Sequence, residues 1–370
     1  MITIAFIVLL MNLFYASLLN GYRKQWNIIS VGRKKEESEL PDVTMIIPFR
    51  NEKQNLPTII SCLQNLDYPV DKLKLIFVND HSDDGSEHIP QSADIKFRKA
   101  VILANGEGKK AALTTGIEKA ETEWIVTTDA DVNFESSWLK KLFSVDHLSE
   151  VEMICGIVLI RNSEEKSSVL SVFQEMEFDM MQATGMAALS MHQPLLNSGA
   201  NLAFKKKSWQ DLGGYSAHSN IRSGDDTFLM FAMQERFGDV IIGNTEAIVK
   251  TKPSGTWSEF VQQRQRWASK GRYYKNKNVR TVGIIVMLSS LFLPILYFVS
   301  AVPEIGMILI TSIIVRAVTE IRLIKNVSKI TGKTYAIYEL IAMSLFYPFF
   351  LLSLTLSAPF NKSQWKGRKL

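Results

Sequence analysis

Both ends of this chain are too apolar for a fold surrounded by water, and the middle is not. Ile2 to Leu19 carries no charged side chain over about the length that crosses a bilayer core. No basic stretch precedes it and no small-residue cleavage site follows it, which reads as a retained anchor rather than a leader. Arg23, Lys24, Arg33, Lys34 and Lys35 come next. Basic residues collect on the cytosolic flanks of membrane spans, so the N-terminus is expected outside and the following segment in the cytosol. At the other end, Thr281 to Thr319 is uncharged except for Glu304 and Arg316, enough for two spans turning near Pro303-Glu304. A third apolar run extends from Tyr335 to Phe360, and Arg322 to Lys333 reads as a basic cytosolic loop between them. A third full crossing would put Lys362, Lys366, Arg368 and Lys369 outside, against that charge rule. Pro348 offers a break, which leaves the last run open between a span and a re-entrant segment.

With so much apolar content at the ends, 370 residues leave room for one soluble domain. The expected divisions are an anchor at 1–20, a basic linker at 21–43, a soluble domain at 44–257, an amphipathic interfacial helix at 258–280, a membrane region at 281–360 and a basic tail at 361–370. The two cysteines, Cys62 and Cys155, stand in apolar surroundings and fit reduced thiols rather than a disulfide framework. Five scattered histidines offer no zinc spacing. A net charge of +5, partly juxtamembrane, fits anionic lipid headgroups and argues against nucleic acid as a partner.

Between the apolar ends, short β-rich runs alternate with helical ones. Thr44–Ile47, Leu73–Val78, Ala100–Leu103 and Trp124–Thr128 read as strands, and Glu52–Leu66 and Gly108–Ala120 as helices. That alternation predicts an α/β fold with an open, mainly parallel sheet, whose ligands sit at the carboxyl ends of the strands. The polar motifs fall at those ends. Asp80, in Val78-Asn79-Asp80, can accept from a base imide or a ribose hydroxyl, although Asp83-Asp84-Gly85-Ser86 after it is also ordinary turn chemistry. Gly106-Glu107-Gly108-Lys109 opens a helix in the manner of a phosphate or ribose site, with Lys109 as the candidate contact, yet lacks the spacing of a Walker loop. Asp129-Ala130-Asp131 follows a strand directly. On extended backbone alternate residues share a side, so Asp129 and Asp131 are expected to converge on one Mg²⁺ or Mn²⁺ that bridges a diphosphate.

Further along, Gly199 and Asn201 in Asn197-Ser-Gly-Ala-Asn201 allow close backbone approach to sugar hydroxyls, or simply form a tight turn. Ser223-Gly224-Asp225-Asp226 leads into an amphipathic helix. Its carboxylates are favoured in ionised form there, as a base or as helix caps. Ser258 to Tyr274 reads as an amphipathic helix with aromatic residues interleaved among Arg264, Arg266, Lys270 and Arg272, suited to the headgroup level of a membrane.

These motifs in this order, closing with Gln263-x-x-Arg266-Trp267, resemble the membrane-associated glycosyltransferases of family 2, which share the GT-A fold and include cellulose, chitin and hyaluronan synthases and ceramide glucosyltransferases. The resemblance covers roughly Thr44 to Tyr274. It implies that Asp80 contacts the nucleotide, that Asp129 and Asp131 bind diphosphate and metal, and that Asp226 is the catalytic base, with Asp225 in place of the usual Glu. It also implies that Gln263, Arg266 and Trp267 line the acceptor and diphosphate end. The expected activity is inverting transfer from a nucleotide sugar, with UDP as the expected nucleotide, to a lipid or lipid-linked acceptor at the cytosolic face of a bacterial inner membrane. Processive polysaccharide synthesis is the alternative reading, and an inactive membrane scaffold with the same fold is a third.

Overall fold

The computed structural model describes residues 2–26, 36, 39–161, 168–215, 224–298, 300–357, 364–365 and 368–369. Arg33, Lys34, Lys35, Ser223, Lys362 and Lys366 lie outside the described residues. In chain order the main elements run α1 (Ile2–Trp26), β1 (Val43–Phe49), α2 (Leu56–Gln64), β2 (Leu73–Asn79), α3 (His88–Ser92), β3 (Arg98–Leu103), α4 (Lys109–Lys119), β4 (Trp124–Thr127), β5 (Val132–Phe134), α5 (Trp138–Leu142) and β6 (Met153–Ile160). Then follow α6 (Val169–Leu189), β7 (Leu202–Lys205), α7 (Lys206–Asp211), α8 (Asp225–Phe237), β8 (Ile241–Thr251), α9 (Trp257–Ala268), α10 (Lys277–Leu291), α11 (Leu293–Phe298), α12 (Pro303–Thr331) and α13 (Ile337–Ser357).

These elements sort into a sheet unit, residues 29–165 and 196–253, and a helical unit, residues 1–28, 166–195 and 254–370. The α6 stretch therefore belongs with the helices and interrupts the continuous 44–257 domain expected from the sequence. Its acidic side chains explain why. Glu175, Glu177 and Asp179 are all buried on α6, and their partners Lys333, Arg264 and Tyr335 come from the helical unit.

In the sheet unit eight strands lie in the order β3-β2-β1-β4-β7-β6-β8-β5. β1 is buried at every position and pairs in parallel with β2 on one side and β4 on the other, as a strand with apolar neighbours on both faces must. β2 and β3 are also parallel. Beyond β4 the sheet is mixed, with β7 antiparallel to β4 and β6, β8 parallel to β6, and β5 antiparallel to β8. The pairing is therefore parallel throughout only for the first four strands, with β6 and β8 adding a further parallel pair. Strand order reverses between β1 and β4, the position at which open α/β sheets leave a crevice for ligands beyond the strand ends. Helix α2 begins later than expected, at Leu56, because Pro57 suits the first helical turn and residues 52–55 form the turn before it.

In the helical unit, α1, the pair α10–α11 (Lys277–Phe298) and α13 are long and apolar enough to cross a membrane. Pro303 opens α12 after the expected break. The segment Arg322 to Lys333 is not a loop. Helix α12 continues to Thr331 and ends at Gly332, whose φ of 69° suits a glycine cap. Arg, Lys, Leu and Ile are all tolerated in helices, so the basic character alone gives no reason to stop there. The last apolar run is one helix through Pro348, with no break at the proline.

Candidate active site

The carboxyl end of β4 supplies the centre of the site. Thr127 and Thr128 turn their hydroxyls onto the next polar segment, donating to the carbonyls of Gly199 and Ala200 at 2.8 and 2.9 Å. All four groups are buried away from water or nearly so, and these bonds fix the 198–201 turn against the strand end. Asp129-Ala130-Asp131 lies in the turn between β4 and β5, not on extended backbone as expected. β5 leaves β4 to pair with β8, which requires the chain to bend there. Asp129 is half-buried and Asp131 exposed, with Asp131 Oδ2 3.5 Å from Thr251 Oγ1.

Lys109, the first residue of α4, reaches into this cluster. Its Nζ lies 2.6 Å from Asp129 Oδ1 and 3.8 Å from Asp225 Oδ2. Burial alone would push the Lys109 pKa down, but the charges of Asp129 and Asp225, the hydrogen bond to Asp129 and the charge of Asp226 overcome it and hold the pKa well above the usual lysine value. The ammonium is therefore a fixed positive charge among three carboxylates.

Asp225 and Asp226 open α8, behind a glycine in the left-handed region at φ 85°. A side chain at Gly224 would be strained there, so the glycine sets the angle at which both carboxylates enter the site. Asp226 Oδ1 accepts from the Thr227 amide at 2.6 Å, and Asp226 Oδ2 accepts from the Gly199 amide at 3.1 Å. These two bonds fix the orientation of the Asp226 carboxylate at the helix start. Gly199 forms the floor: a Cβ there would lie 3.2 Å from Asp225 Oδ2, 3.5 Å from Asp226 Cβ and 3.7 Å from Lys109 Nζ. The Tyr215 phenol is also drawn in, its pKa pushed up by burial first and then by Asp225 and Asp226.

Asp80 is buried at the end of β2, where its Oδ1 accepts from the Gly108 amide at 2.9 Å. It thereby braces the glycine-rich loop that presents Lys109. Asn201 departs from its expected place beside a sugar. Its side chain is fully buried, donating to the carbonyls of Ile157 and Ala247 at 2.8 Å each and accepting from the Trp138 indole at 3.0 Å. Register between β6 and β8 slips at Gly156/Ile157, and the Asn201 amide supplies the partner that the Ile157 carbonyl needs beside that slip.

The remaining predicted residues belong to the helical unit. Helix α9 starts with a capping box in which the Thr256 hydroxyl accepts from the Glu259 amide, and the Glu259 carboxylate accepts from the Thr256 amide. Gln263, Arg266 and Trp267 are half-buried along it. Between them Arg264 is buried, its guanidinium 4.2 Å from the Trp267 ring centre and 4.6 Å from that of Phe260. Arg264, expected on the basic headgroup-level face of this helix, is instead buried against Glu177, a partner 87 positions away that local sequence pattern does not reveal.

Residues 44–213 match the family described as Glycosyl transferase family 2. This segment is a family 2 glycosyl transferase domain. The chain is 26% identical over 192 residues to the poly-beta-1,6-N-acetyl-D-glucosamine synthase of Staphylococcus epidermidis, an alignment covering 49% of this chain and 43% of that one. It is 22% identical over 243 residues to the beta-monoglucosyldiacylglycerol synthase of Trichormus variabilis, covering 65% of this chain and 51% of that one. The matches thus span about half the length of these relatives. Among solved structures, the mannosyltransferase PcManGT from Pyrobaculum calidifontis, in complex with GDP-Man and Mn²⁺, superposes with a TM-score of 0.63 at 17% identity, over 98% of this chain and all of that one. The likeness carries the GT-A fold of the family 2 domain and its accompanying helices.

Proposed function

We propose that this chain is an inverting glycosyltransferase that moves a sugar from a nucleotide sugar, a UDP-sugar first, to a lipid or lipid-linked acceptor at the cytosolic face of a bacterial inner membrane. The observation that carries this reading is the convergence of Asp129, Asp225 and Asp226 on Lys109 over the Gly199 floor, inside a family 2 domain.

Among the described residues no three His, Cys, Asp or Glu side chains gather closely enough to hold an ion. Asp129 and Asp131 are the side chains that would hold Mg²⁺ or Mn²⁺ beside a nucleotide, and Asp129 would then exchange its contact with Lys109 for the ion. When bound there, the ion would shield the diphosphate charge. The chain's own residues do the rest. Asp226 takes the proton of the acceptor hydroxyl, and that oxygen attacks the anomeric carbon from the face opposite the diphosphate. The bond to the diphosphate oxygen breaks, the nucleoside diphosphate leaves with the electron pair, and the configuration inverts. Lys109 offsets the charge that develops on the departing group, a role that the motif resemblance also gives to Arg266. Asp225 holds Lys109, Asp80 supports the nucleotide side, and Gln263 and Trp267 face the acceptor.

A lipid acceptor is supported by an apolar groove of about 800 Å³ within the helical unit. Phe173 and Met176 of α6, Trp257 of α9 and Met343, Phe346 and Phe350 of α13 line it. One wall is therefore the helix that bears Gln263, Arg266 and Trp267, and another is a candidate membrane span, an environment for a hydrocarbon chain. The Trichormus relative makes a glycolipid by its name, whereas the Staphylococcus relative makes a polymer. Nucleoside diphosphate release by the purified protein in detergent with Mn²⁺, across UDP- and GDP-sugars and with or without membrane lipid, tests the proposal. Release that lipid stimulates is expected. Release that ignores lipid and yields a growing polymer would replace single transfer with processive synthesis, and no release with any donor would sink both.

A further inference from the structure

Helix α6 crosses the helical unit with three buried carboxylates, and the middle one does something the other two do not. Glu175 and Asp179, four residues apart on one face, bind Lys333 Nζ at 3.1 Å and the Tyr335 hydroxyl at 2.8 Å, tying α6 to the segment between α12 and α13. Glu177 points to α9. Its Oε1 and Oε2 accept from Arg264 Nε at 2.8 and 2.9 Å, and Oε2 also accepts from Arg264 Nη2 at 2.5 Å. Both side chains are 4% exposed. A fork of this kind fixes the guanidinium plane as well as its position.

The fixed plane in turn holds two of the three motif residues on α9. Arg264 Nη1 donates to Gln263 Oε1 at 2.5 Å. The Arg264 guanidinium lies 4.2 Å from the Trp267 ring centre, and Phe178 of α6 meets the same ring at 5.8 Å. A cation over an indole face is attractive and orients the ring. The lead-in to α9 is pinned from the same helix, since the Gln174 amide donates to the Ser254 carbonyl at 3.0 Å and its oxygen accepts from the Ser254 amide at 2.8 Å.

We propose that the buried Glu177–Arg264 pair is the positioning device of the acceptor side: it touches neither donor nor acceptor, but sets the orientation of the Gln263 amide and the Trp267 indole that receive the acceptor. The proposal rests on the transferase reading above. A lone neutralisation such as Glu177→Gln leaves a charge buried without its partner and risks unfolding, so the informative variant is E177Q/R264Q, which removes both charges and keeps groups able to hydrogen-bond each other. A purely structural pair, once replaced in this way, leaves the kinetics of the folded fraction unchanged.

The test measures donor KM, acceptor KM and kcat for wild type, E177Q/R264Q and E177D on protein shown to be monodisperse, with the active fraction normalised. The Trp267 contribution to tryptophan emission is read alongside, as the difference between each protein and the same protein carrying W267F. The expected result is a kcat lower by about tenfold and a raised acceptor KM, with donor KM within about twofold, since the effect is one of acceptor orientation. The Trp267 difference emission should also shift, and E177D, which keeps the charge, should recover part of the loss. Wild-type kcat and acceptor KM in E177Q/R264Q, with Trp267 emission unmoved, would overturn the positioning role. If the wild type itself turns over no donor, the transferase reading fails, and the emission measurement alone decides whether the pair orients Trp267.

Discussion

The two units of this protein use opposite charges in opposite ways. In the sheet unit, Lys109 meets Asp129 with side chains 24% and 34% exposed, and one ammonium is shared among several carboxylates. In the helical unit, Glu177 and Arg264 are sealed from solvent and joined by a complete fork of hydrogen bonds. A partly exposed pair can exchange partners when a charged ligand arrives, here because the same ammonium already faces more than one carboxylate. A closed pair holds its geometry, because separating it would strand a charge in a medium that cannot solvate it. On the proposed reading, the chain keeps exchangeable charge where substrate charge is to be accommodated, and closed charge where ring and amide orientation is to be preserved.

The sharpest way to break this comparison is to remove the proposed base. Asp226→Asn should lower kcat by about 10²- to 10⁴-fold while the protein remains folded, because the Asn can still accept from the Thr227 or Gly199 amide. Equal activity in steady-state assays would transfer the base role to Asp225 or dissolve it. Next in size is Lys109→Met. It should cost about 2 kcal/mol of donor affinity, the scale of a charge-assisted contact, seen as a rise in donor KM, with a small effect on thermal unfolding. A large loss of stability with unchanged KM would mean that the open cluster is structural after all.

Gly224→Ala should cost about 1–2 kcal/mol of stability, since the αL backbone at φ 85° resists a Cβ. Urea unfolding of the detergent-solubilised protein measures it. Thr127→Val should cost about 1 kcal/mol by leaving the Gly199 carbonyl without its donor, with a fall in kcat as the turn loosens.

The smallest expected effect is a pH response that does not occur. The Lys109 pKa is raised, so the stability it contributes is complete below the ordinary lysine value of 10.5 and is lost only as pH rises through the still higher folded value. Donor affinity should therefore stay flat from about pH 7 to pH 9 as far as Lys109 is concerned. A lysine-dependent loss in that window, absent from Lys109→Met, would show that the carboxylates do not hold the ammonium as described.

How much of this was legible in the sequence follows from how far apart the partners lie. Asp80, Asp129 and Asp225-Asp226 each follow or begin a regular element, so local pattern alone brought them to strand ends or a helix start. Lys109 was visible as a phosphate candidate, but its place among the carboxylates depends on strand order. Asn201 misled because a polar residue beside Gly199 reads as a ligand, whereas the strand slip beside Ile157 creates an internal need that only the folded sheet reveals. Arg322 to Thr331 misled for a different reason: positive charge marks a membrane flank, not the end of a helix. Glu177 was invisible, since an acidic residue on an apolar helix acquires meaning only from Arg264 on another helix.

Where the sugar goes decides between a glycolipid and a polymer as the product of this protein. Purified protein in mixed micelles with Mn²⁺ and radiolabelled UDP-sugars, followed by separation into solvent-extractable lipid, insoluble polymer and free sugar, measures it directly. Label entering the lipid fraction with wild type, and vanishing with Asp226→Asn, is the predicted result. Label that accumulates only as polymer, or equal labelling by both proteins, would contradict it.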